Sequence, residues 1–533
     1  MNRRRYLFLF LLGLGLAVLS AAFQDAPGYM DADYYFAGGL RLAQGHGFSE
    51  QIIWNYLDDP AGLPRPSHAY WMPLSSILAW LGMILVPFVK PFGAARLGFI
   101  LAAGLIAPLT AHLAFSITSQ RQGAMLSGIL AAFSGFYLPF LSTTDAFGLY
   151  MLLGSLFILL VGKDLWGGSG HRWLFVLGLV AGLMHLTRAD GLLWLGVAGM
   201  LVISTSLQQG GANAQERITQ TAKNLTAVFA GYVMIMGPWI WRNLGVFGTP
   251  FAPGGTRTLW LTDYDELFAF PAALLTPARW LQTGWPAILK ARFWALGQNL
   301  QTGLAVQGMV FLAPLVLVGG WQLRQDRRVK TAGLAWLLTL LVMSVVFPFS
   351  GARGGFFHSG AALQPLIWAM APLGLDTIIR WAGRRRGWPV IQAQRVFRMG
   401  LVVLAAGLTG LLMFQRLVVP VDGERAWGAG QAAYTQLADW LDENGASLED
   451  SVMVGNPPGF YAVSGRSALA VPNGDEATVL AVAKRYGVRY LLLEKDHPRG
   501  LDEIYLSPAG VPGLRYMATL ATTHVFIFDD LEP

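Results

Sequence analysis

The chain is dominated by long apolar runs that are separated by short polar segments. A helix needs about 20 apolar residues to cross the hydrocarbon core of a bilayer. Eleven runs approach or exceed that length, at about residues 6–23, 97–118, 124–142, 146–162, 173–187, 190–206, 223–241, 301–321, 332–348, 361–379 and 399–418. Only 13% of the residues are charged, against about 25% in a soluble protein. The sequence therefore predicts a polytopic α-helical membrane protein with about eleven transmembrane helices.

The basic residues in the loops predict how these helices are oriented. Cytoplasmic loops carry an excess of Lys and Arg, and segments 3–5, 324–330 and 380–398 are strongly basic. All loops alternate correctly only if the apolar run at 73–89 does not cross, so we predict that it lies in, or re-enters from, the outer interface. The N-terminus is then cytoplasmic and the C-terminus is outside. The net charge of +7 belongs to these loops, so nucleic acid is not an expected partner.

The first apolar run allows two interpretations. A basic start and the small residues Ala21 and Ala22 are also found in cleaved signal peptides. The run nevertheless approaches spanning length. We predict an uncleaved anchor.

Three long segments share the predicted outer side, namely 24–96, 242–300 and the tail from 420 to 533. The tail is acidic, and its pattern differs from that of residues 1–419. A helix is predicted in AAYTQLADWLDENG, a strand and a turn in SVMVGNPPGFYAVSG, a helix and a strand in EATVLAVAKRYGVRYLLLE, and a last strand in MATLATTHVFIFDD. We therefore predict a small outer α/β domain after a transmembrane domain. The chain has no cysteine, which excludes disulfides and thiolate metal sites.

Acidic residues stand at the outer ends of two predicted spans. Asp31 and Asp33 follow the first span, and Asp145 in TTDAFG precedes the fourth. Acids close to a membrane are costly unless they are solvated or used. The alternatives are a solvated loop pair for Asp31 and Asp33 and a helix N-cap for Asp145.

Basic residues occur in the same outer turns. Arg188 and Asp190 form a tight turn, where they bind a ligand or simply pair with each other. Arg353 and His358 lie in a glycine-rich turn, and Arg242 ends the seventh span. Arginine suits phosphate because its planar fork donates two parallel hydrogen bonds, although arginines at interfaces also simply extend toward water. His68 is a further candidate ligand.

This set of residues favours one kind of chemistry. Arginines would hold a lipid phosphate or diphosphate as it leaves, and a carboxylate would take the proton from an acceptor hydroxyl that attacks a sugar. No metalloprotease, P-loop or dinucleotide-binding motif is present in the sequence.

The order of these motifs resembles that of bacterial GT-C glycosyltransferases, in particular the family 39 type, which includes protein O-mannosyltransferases and the aminoarabinose transferase of lipid A. The segments that carry the resemblance are MDADYYFAGGLRLAQGHGF, HAYWMPLSSILAWLG, LSTTDAFG, GLMHLTRADGLLWL, WIWRNLGVFGTPF and RGGFFHSGAALQPL. The resemblance implies a GT-C fold and an enzyme of a bacterial plasma membrane. It also implies a polyprenyl-phosphate sugar as donor, a lipid, glycan or protein as acceptor, and inversion at the anomeric carbon.

The resemblance also implies roles for individual residues. Asp31 occupies the position of the catalytic carboxylate, with Tyr35 four residues on, and Asp145 matches the second acid. Since Ala32 and Asp33 replace the acid that often follows the first, either Asp31 or Asp33 could be the base. Arg188 matches a basic residue near the lipid phosphate. A divalent metal, Mg²⁺ or Mn²⁺, at Asp31 and Asp145 is a further expectation.

Two other functions stay open at this point. The first is a transporter or flippase of lipid-linked sugars, although such proteins tend to place charges at the bilayer midplane and to contain inverted repeats. The second is a non-enzymatic envelope assembly protein whose acidic outer domain binds a partner. The assembly protein leaves Asp31, Asp145 and Arg188 unexplained.

Overall fold

The computed structural model describes residues 1–163, 165, 170–208, 213–421 and 423–529. Helices dominate its first 420 residues. They are α1 (Arg3–Ala21), α2 (Met30–Ala43), α3 (Leu74–Leu85), α4 (Pro91–Ala95), α5 (Leu97–Thr118), α6 (Arg121–Ala132), α7 (Leu138–Leu141), α8 (Phe147–Val161), α9 (Gly170–Thr187), α10 (Leu192–Gln208), α11 (Ala214–Phe247), α12 (Gly254–Arg257), α13 (Pro277–Gln282), α14 (Gly284–Thr302), α15 (Ala313–Gln322), α16 (Arg327–Leu341), α17 (Pro348–Ser350), α18 (Phe356–Gly360), α19 (Gln364–Arg386) and α20 (Val390–Met413).

Within the described ranges, eight helical segments are long and apolar enough to cross a bilayer, and α3 and α8 are shorter apolar helices. The predicted multi-pass α-helical membrane protein is therefore confirmed, while the count of eleven crossings stays a prediction. Helix α3 has twelve residues, a length of roughly 18 Å. This is too short to cross the hydrocarbon core. The length agrees with the prediction from the loop charges that residues 73–89 do not cross.

One predicted span is interrupted. The run at 301–321 begins as the end of α14, widens into a π-helical turn at Gly303–Gln307, and becomes α-helical again only at α15. Between these helices Met309 and Val310 have φ angles of 45° and 56°. A β-branched residue such as Val310 rarely adopts such a conformation. The break could therefore not be predicted from the apolar sequence.

Close packing fixes the turn that leads into α19. Gly154 of α8 lies so near this turn that a Cβ atom at that position would sit 2.0 Å from the carbonyl oxygen of Ala362. Only glycine fits there. The contact holds residues 356–363 against the helix that begins beside Asp145.

The segments predicted to lie outside contribute to a six-stranded sheet with the strand order β2-β7-β6-β8-β10-β9. Together with two small hairpins, the strands are β1 (Ser49–Glu50), β2 (Ile52–Ile53), β3 (Arg65–Pro66), β4 (Pro420–Val421), β5 (Glu424–Arg425), β6 (Ser451–Val454), β7 (Ala468–Ala470), β8 (Val488–Leu493), β9 (Leu514–Leu520) and β10 (Thr523–Phe528). The remaining helices are α21 (Ala429–Glu443), α22 (Pro457–Ser464), α23 (Glu476–Tyr486) and α24 (Asp502–Leu506). The predicted C-terminal α/β region is present.

Two details of the tail differ from the prediction. Residues 457–464 form a helix instead of a turn, because Pro457 and Pro458 occupy its first turn and the Asn456 side chain caps it. The last predicted strand is a hairpin of β9 and β10.

The sheet also crosses the predicted domain boundary at 419/420. Strand β2 comes from the first outer segment, and Ile52 and Ile53 pair in parallel with Ala468 and Leu469 of β7. The first outer segment and the tail therefore share one sheet. This sheet stands over α2, the helix that carries Asp31 and Asp33.

Candidate active site

Three predicted residues converge from distant parts of the chain. Asp31 lies in the first turn of α2, Asp145 immediately before α8, and His358 in α18. The Nε2 atom of His358 lies 3.2 Å from an Asp145 carboxylate oxygen and 3.5 Å from an Asp31 carboxylate oxygen. One ligand atom from each residue lies within 4.8 Å of the other two. We call these three residues the acid–histidine cluster.

The orientation of His358 follows from its neighbours. Its ring stacks on Phe147, with 4.0 Å between the ring centres. Its Nδ1 atom lies 3.0 Å from the carbonyl oxygen of Gly354 and can act there only as a donor. Because Nδ1 carries that proton, Nε2 is the atom that faces the two carboxylates.

Asp145 is held on several sides and is 1% exposed. The Tyr29 hydroxyl donates to one of its oxygens, and the backbone N–H of Ala146 donates to the other. The cap of α8 is Ala146, which makes no side-chain capping bond. The alternative role of Asp145 as an N-cap is therefore not observed.

Asp31 is the more open of the two acids, with a side chain that is 30% exposed. Desolvation in the recess raises the pKa of Asp31 to about 6, with His358 and Arg188 opposing the shift and Asp145 adding to it. No described residue donates a hydrogen bond to its carboxylate. A carboxylate with this pKa can both hold and release a proton near neutral pH.

Asp33 belongs to different surroundings. It is 7% exposed, and the side-chain amide of Asn456, just before α22, donates to its carboxylate at 2.8 Å. Burial raises the pKa of Asp33 to about 7, against the lowering effect of Asn456. The two acids of the motif are thus separated: Asp31 joins the acid–histidine cluster, and Asp33 joins α2 to the tail.

Arg188 and Asp190 form the local ion pair that was one of the two expectations. Arg188 Nε lies 2.9 Å from Asp190 Oδ1, and the Tyr150 hydroxyl donates to Asp190 at 3.3 Å. Arg188 is also near enough to Asp31 to lower the pKa of that carboxyl. In the described structure no residue accepts a hydrogen bond from the two terminal nitrogens of Arg188. Pairing through Nε therefore leaves the rest of the guanidinium available to a ligand.

Tyr35 and Arg353 lie at the edges of the cluster. Tyr35 is 2% exposed, and after desolvation the charge of Asp145 adds to the increase of the pKa of its hydroxyl. Arg353 is exposed, with its guanidinium carbon 4.9 Å from the centre of the Tyr264 ring. Tyr264 is near enough to Asp31 for the Asp31 charge to raise the pKa of the tyrosine. Arg353 and Tyr264 thus form an outer rim.

His68 and Arg242 serve the scaffold of the first outer segment. His68 is 1% exposed, its two ring nitrogens contact the hydroxyls of Ser67 and Ser76, and burial lowers its pKa to about 3. Arg242 donates to the backbone carbonyls of Phe48 and Ser67 at 3.2 and 2.8 Å. Their predicted contact with substrate stays a prediction, since the bonds observed here hold backbone in place.

The sequence analysis missed Tyr29 and Asn456. Tyr29 directly precedes α2 and donates to Asp145 from the other side of the cluster. Because Tyr29 stands next to the Asp31 motif in the sequence, it could have been predicted as a site residue. Nothing near Asn456 in the sequence indicates its contact with Asp33.

Solved structures resemble the whole chain. The Archaeoglobus fulgidus oligosaccharyltransferase AglB, solved with an inhibitory peptide and a dolichol-phosphate, matches with a TM-score of 0.52 and 11% identity over 99% of this chain and 74% of that chain. ArnT from Cupriavidus metallidurans, bound to undecaprenyl phosphate, matches with a TM-score of 0.55 and 12% identity over 99% of this chain and 98% of that chain. The chain has the GT-C fold.

A second structure of the Archaeoglobus fulgidus oligosaccharyltransferase, with a TM-score of 0.55 and 13% identity over 95% of this chain and 72% of that chain, is a complex with Zn and sulfate. No family model matches the sequence. No curated protein matches it either. The predicted GT-C fold is thus confirmed, and the assignment to family 39 stays a prediction.

Proposed function

We propose that this protein is an integral membrane glycosyltransferase that moves a sugar from a polyprenyl-phosphate donor to an acceptor at the outer face of the membrane. The observation that carries the proposal is the acid–histidine cluster with Arg188 beside it. These groups come from four separate segments and meet at helix ends that the loop charges predict to lie outside, where a lipid headgroup would lie. AglB and ArnT, which share the fold, were solved with dolichol-phosphate and undecaprenyl phosphate.

Asp31 is proposed as the general base. Its carboxylate takes the proton of an acceptor hydroxyl while the hydroxyl oxygen forms a bond to the anomeric carbon. The bond from that carbon to the phosphate oxygen breaks, and the phosphate leaves with the electron pair. Attack from the face opposite the phosphate inverts the anomeric carbon. Asp31 suits this role because no described residue donates a hydrogen bond to its oxygens.

Arg188 is proposed to stabilise the leaving phosphate. Its Nε is held by Asp190, which orients the guanidinium before the donor binds. Preorganised charge of this kind lowers a barrier because little reorientation is needed during the reaction. Arg353, on the exposed rim, supplies a second positive charge at the entrance.

The acid–histidine cluster also fits a divalent ion. Two carboxylate oxygens and one imidazole nitrogen suit Mn²⁺ better than Mg²⁺, which prefers oxygen ligands. The hydrogen bond from His358 Nδ1 to Gly354 is the outer contact that metal-binding histidines usually have. Asp31, Asp145 and His358 would hold the ion, which would supply positive charge beside the donor phosphate.

A panel of radiolabelled polyprenyl-phosphate sugars tests the proposal. Each donor is incubated with the purified protein and with membranes that provide lipid, glycan and protein acceptors, and the label that leaves the donor is counted. At least one donor should lose its label to the wild-type protein and keep it with Asp145→Asn, which removes a charge from the cluster. If no donor loses label, or if Asp145→Asn transfers label at the wild-type rate, the proposal is wrong.

A further inference from the structure

The strand order of the tail creates a crevice. Strands β7, β6 and β8 are parallel neighbours in that order. The chain passes from β6 to β7 on one side and then returns to β8 on the other side, so the strand order reverses at β6. In α/β sheets a crevice opens at the carboxyl ends of the strands where the order reverses, and ligands commonly bind there. The crevice of this sheet therefore lies just after β6 and β8.

Two polar residues directly follow or lie close to these strand ends, Asn456 after β6 and Glu494 after β8. Glu494 is satisfied within the tail, because its carboxylate accepts from the Gly455 N–H at 2.7 Å and from the Tyr434 hydroxyl at 3.0 Å. Asn456 instead contacts the first outer segment, where its side-chain amide donates to Asp33 of α2 at 2.8 Å. A helical turn of this same chain thus occupies the place where a ligand would otherwise bind.

The Asn456 amide is fixed in one orientation. Its Oδ1 atom accepts from the Gly459 N–H at 3.2 Å, which leaves the Nδ2 group facing Asp33. In the described structure, Asn456 is the one donor of a hydrogen bond to the Asp33 carboxylate. The space is also tight, since a Cβ atom at Gly459 would lie 2.9 Å from Asp33 Oδ2 and 2.6 Å from Asn456 Nδ2. The contact therefore tolerates little movement of α2 against the tail.

The first turn of α2 is held on another side by the turn before α8. Thr144 Oγ1 donates to the carbonyl oxygen of Ala32 at 2.7 Å, and the Tyr29 hydroxyl donates to Asp145. Tyr29 is the N-cap residue of α2 and makes no side-chain capping bond, so the first turn is not fixed by a cap of its own. These contacts, together with the one from Asn456, hold the turn.

Asp31 lies in this turn and has little to hold its side chain. No described residue donates a hydrogen bond to its carboxylate, so its position depends on the backbone of α2. Residues two apart on an α-helix point in directions about 200° apart, which is why Asp31 faces the acid–histidine cluster while Asp33 faces the tail. A rotation of α2 about its axis would therefore move Asp31 relative to His358, which is 3.5 Å away.

We propose that Asn456 is a positioning residue for the base: by holding Asp33 it fixes the rotation of α2 and so the place of Asp31 in the acid–histidine cluster. The inference rests on the proposed function and gives the tail a part in the reaction. Misplacing a reacting group by about 1 Å can cost a factor of about 10² in rate. The tail thus acts on the rate of transfer and not on the binding of the donor.

An exchange of the two side chains in the full-length protein tests the contact. Asn456→Asp keeps an oxygen for the Gly459 N–H, so α22 stays capped, but it removes the donor to Asp33 and places a second carboxylate there. It should lower kcat about tenfold to a hundredfold, with the KM for the donor unchanged. Asp33→Asn combined with Asn456→Asp puts the donor on α2 and the acceptor on the tail, and this double variant should recover most of the wild-type kcat.

Three results of this exchange would overturn the proposal. A wild-type kcat in Asn456→Asp would show that the contact does not place the base. A double variant as slow as Asn456→Asp would show that Asn456 acts by another route. A change in KM alone would assign Asn456 to substrate binding.

A pair of glycine variants tests the same contact through its spacing. Gly459→Ala inserts a methyl group against Asp33 and Asn456 and should lower kcat about tenfold. Gly430→Ala, in α21 of the tail, is the control, because a Cβ atom there meets no heavy atom within 4 Å, and it should leave kcat unchanged. Equal kcat values for the two variants would contradict the proposal.

A structure of Asn456→Asp separates this inference from the proposed function, because it needs no turnover. The distance from Asp31 Oδ2 to His358 Nε2, 3.5 Å in the wild type, should increase in this variant and return in the double variant. If sugar is transferred but this distance and kcat are unchanged in Asn456→Asp, the positioning is wrong and the enzyme stands. If no sugar is transferred and the distance changes as expected, the tail positions Asp31 and the proposed reaction is wrong.

Discussion

Two groups of carboxylates differ in how their charges are balanced: Glu50 and Asp58 form the first group, and Asp31 and Asp145 of the acid–histidine cluster form the second. In the first, Arg65 pairs with Glu50 at 2.8 Å and with Asp58 at 3.1 Å, and Tyr34 donates to the other Glu50 oxygen at 2.8 Å. All three charged side chains are 5–7% exposed. In the second, the only charged nitrogen donor paired with Asp31 among the described residues is His358, at 3.5 Å, and the Asp31 side chain is 30% exposed.

The difference indicates which acids hold the fold and which can react. Glu50 and Asp58 have their charges balanced by contacts within their own segment. Asp31 and Asp145 both pair with the imidazole of His358, and no described arginine forms an ion pair with either acid. Their negative charge is therefore only partly balanced, and a bound cation could balance the rest. Burial alone does not separate the groups, because desolvation also raises the pKa of Glu50 to about 7.

The largest expected effect is the loss of transfer rate when Asp31 is replaced. Asp31→Asn should lower the transfer rate by about a factor of 10² to 10⁴, the usual contribution of a general base, with the thermal unfolding midpoint unchanged. Asp33→Asn is the matched control, since it is the same change two residues away, outside the acid–histidine cluster. If Asp33→Asn is the inactive variant and Asp31→Asn is active, the assignment of the base is reversed.

Replacing Arg65, the cation of the first group, should instead destabilise the protein. Arg65→Met leaves the buried carboxylates of Glu50 and Asp58 without the cation that pairs with both, which typically costs about 3–5 kcal/mol, and the unfolding midpoint should fall. The control is Arg515→Met, which breaks an ion pair with Asp529 in which the two side chains are 60% and 49% exposed; such pairs contribute about 0–1 kcal/mol. Equal midpoints for the two variants would remove the distinction between the buried and exposed pairs.

The arginines near the acid–histidine cluster should differ by a smaller margin. Arg188→Ala should weaken donor binding about tenfold or more, because a preoriented charge at the phosphate is lost. Arg353→Ala, on the exposed rim, should have a weaker effect that disappears at high salt. Donor affinity measured at two salt concentrations separates them, and an Arg188→Ala variant with wild-type affinity contradicts the phosphate role.

The smallest effect concerns pH. In assays without a divalent ion, where the pKa of Asp31 is raised to about 6, the base is protonated and inactive below that pH. The value of kcat/KM should therefore fall about tenfold per unit as the pH drops below 6 and should level off above it. A rate that stays constant down to pH 4.5 would mean that another group, or none, accepts the proton.

Much of the architecture could be predicted because it depends on local patterns. Apolar runs of spanning length predict membrane helices wherever they occur, and the alternation in the tail predicts an α/β region. The residues of the acid–histidine cluster were also accessible, since acids and basic residues at outer span ends stand out against an apolar background. The resemblance to GT-C enzymes then predicted that these residues belong to one site.

The remainder depends on contacts between distant residues. No local signal tells that Ile52 pairs with Ala468, that Asn456 reaches Asp33, or that Met309 and Val310 break a helix. The observed contacts of Arg242 and His68 could not be predicted from the sequence either. Arg242 donates to backbone carbonyls and His68 contacts two serine hydroxyls, so their predicted contact with substrate stays a prediction.

The pairing of strand β2 with β7 has a consequence for how the protein is made. The ribosome produces Asp31 and Ile52 first and Ala468 more than 400 residues later, after the predicted membrane helices. Two further contacts of this segment are with residues that are also synthesised late. Asn456 donates to Asp33, and Trp427 donates to the backbone carbonyl of Ala26. With the predicted topology, the surroundings of the proposed base are completed only when the end of the chain has been translocated, and we expect the proposed activity to begin only after insertion is finished.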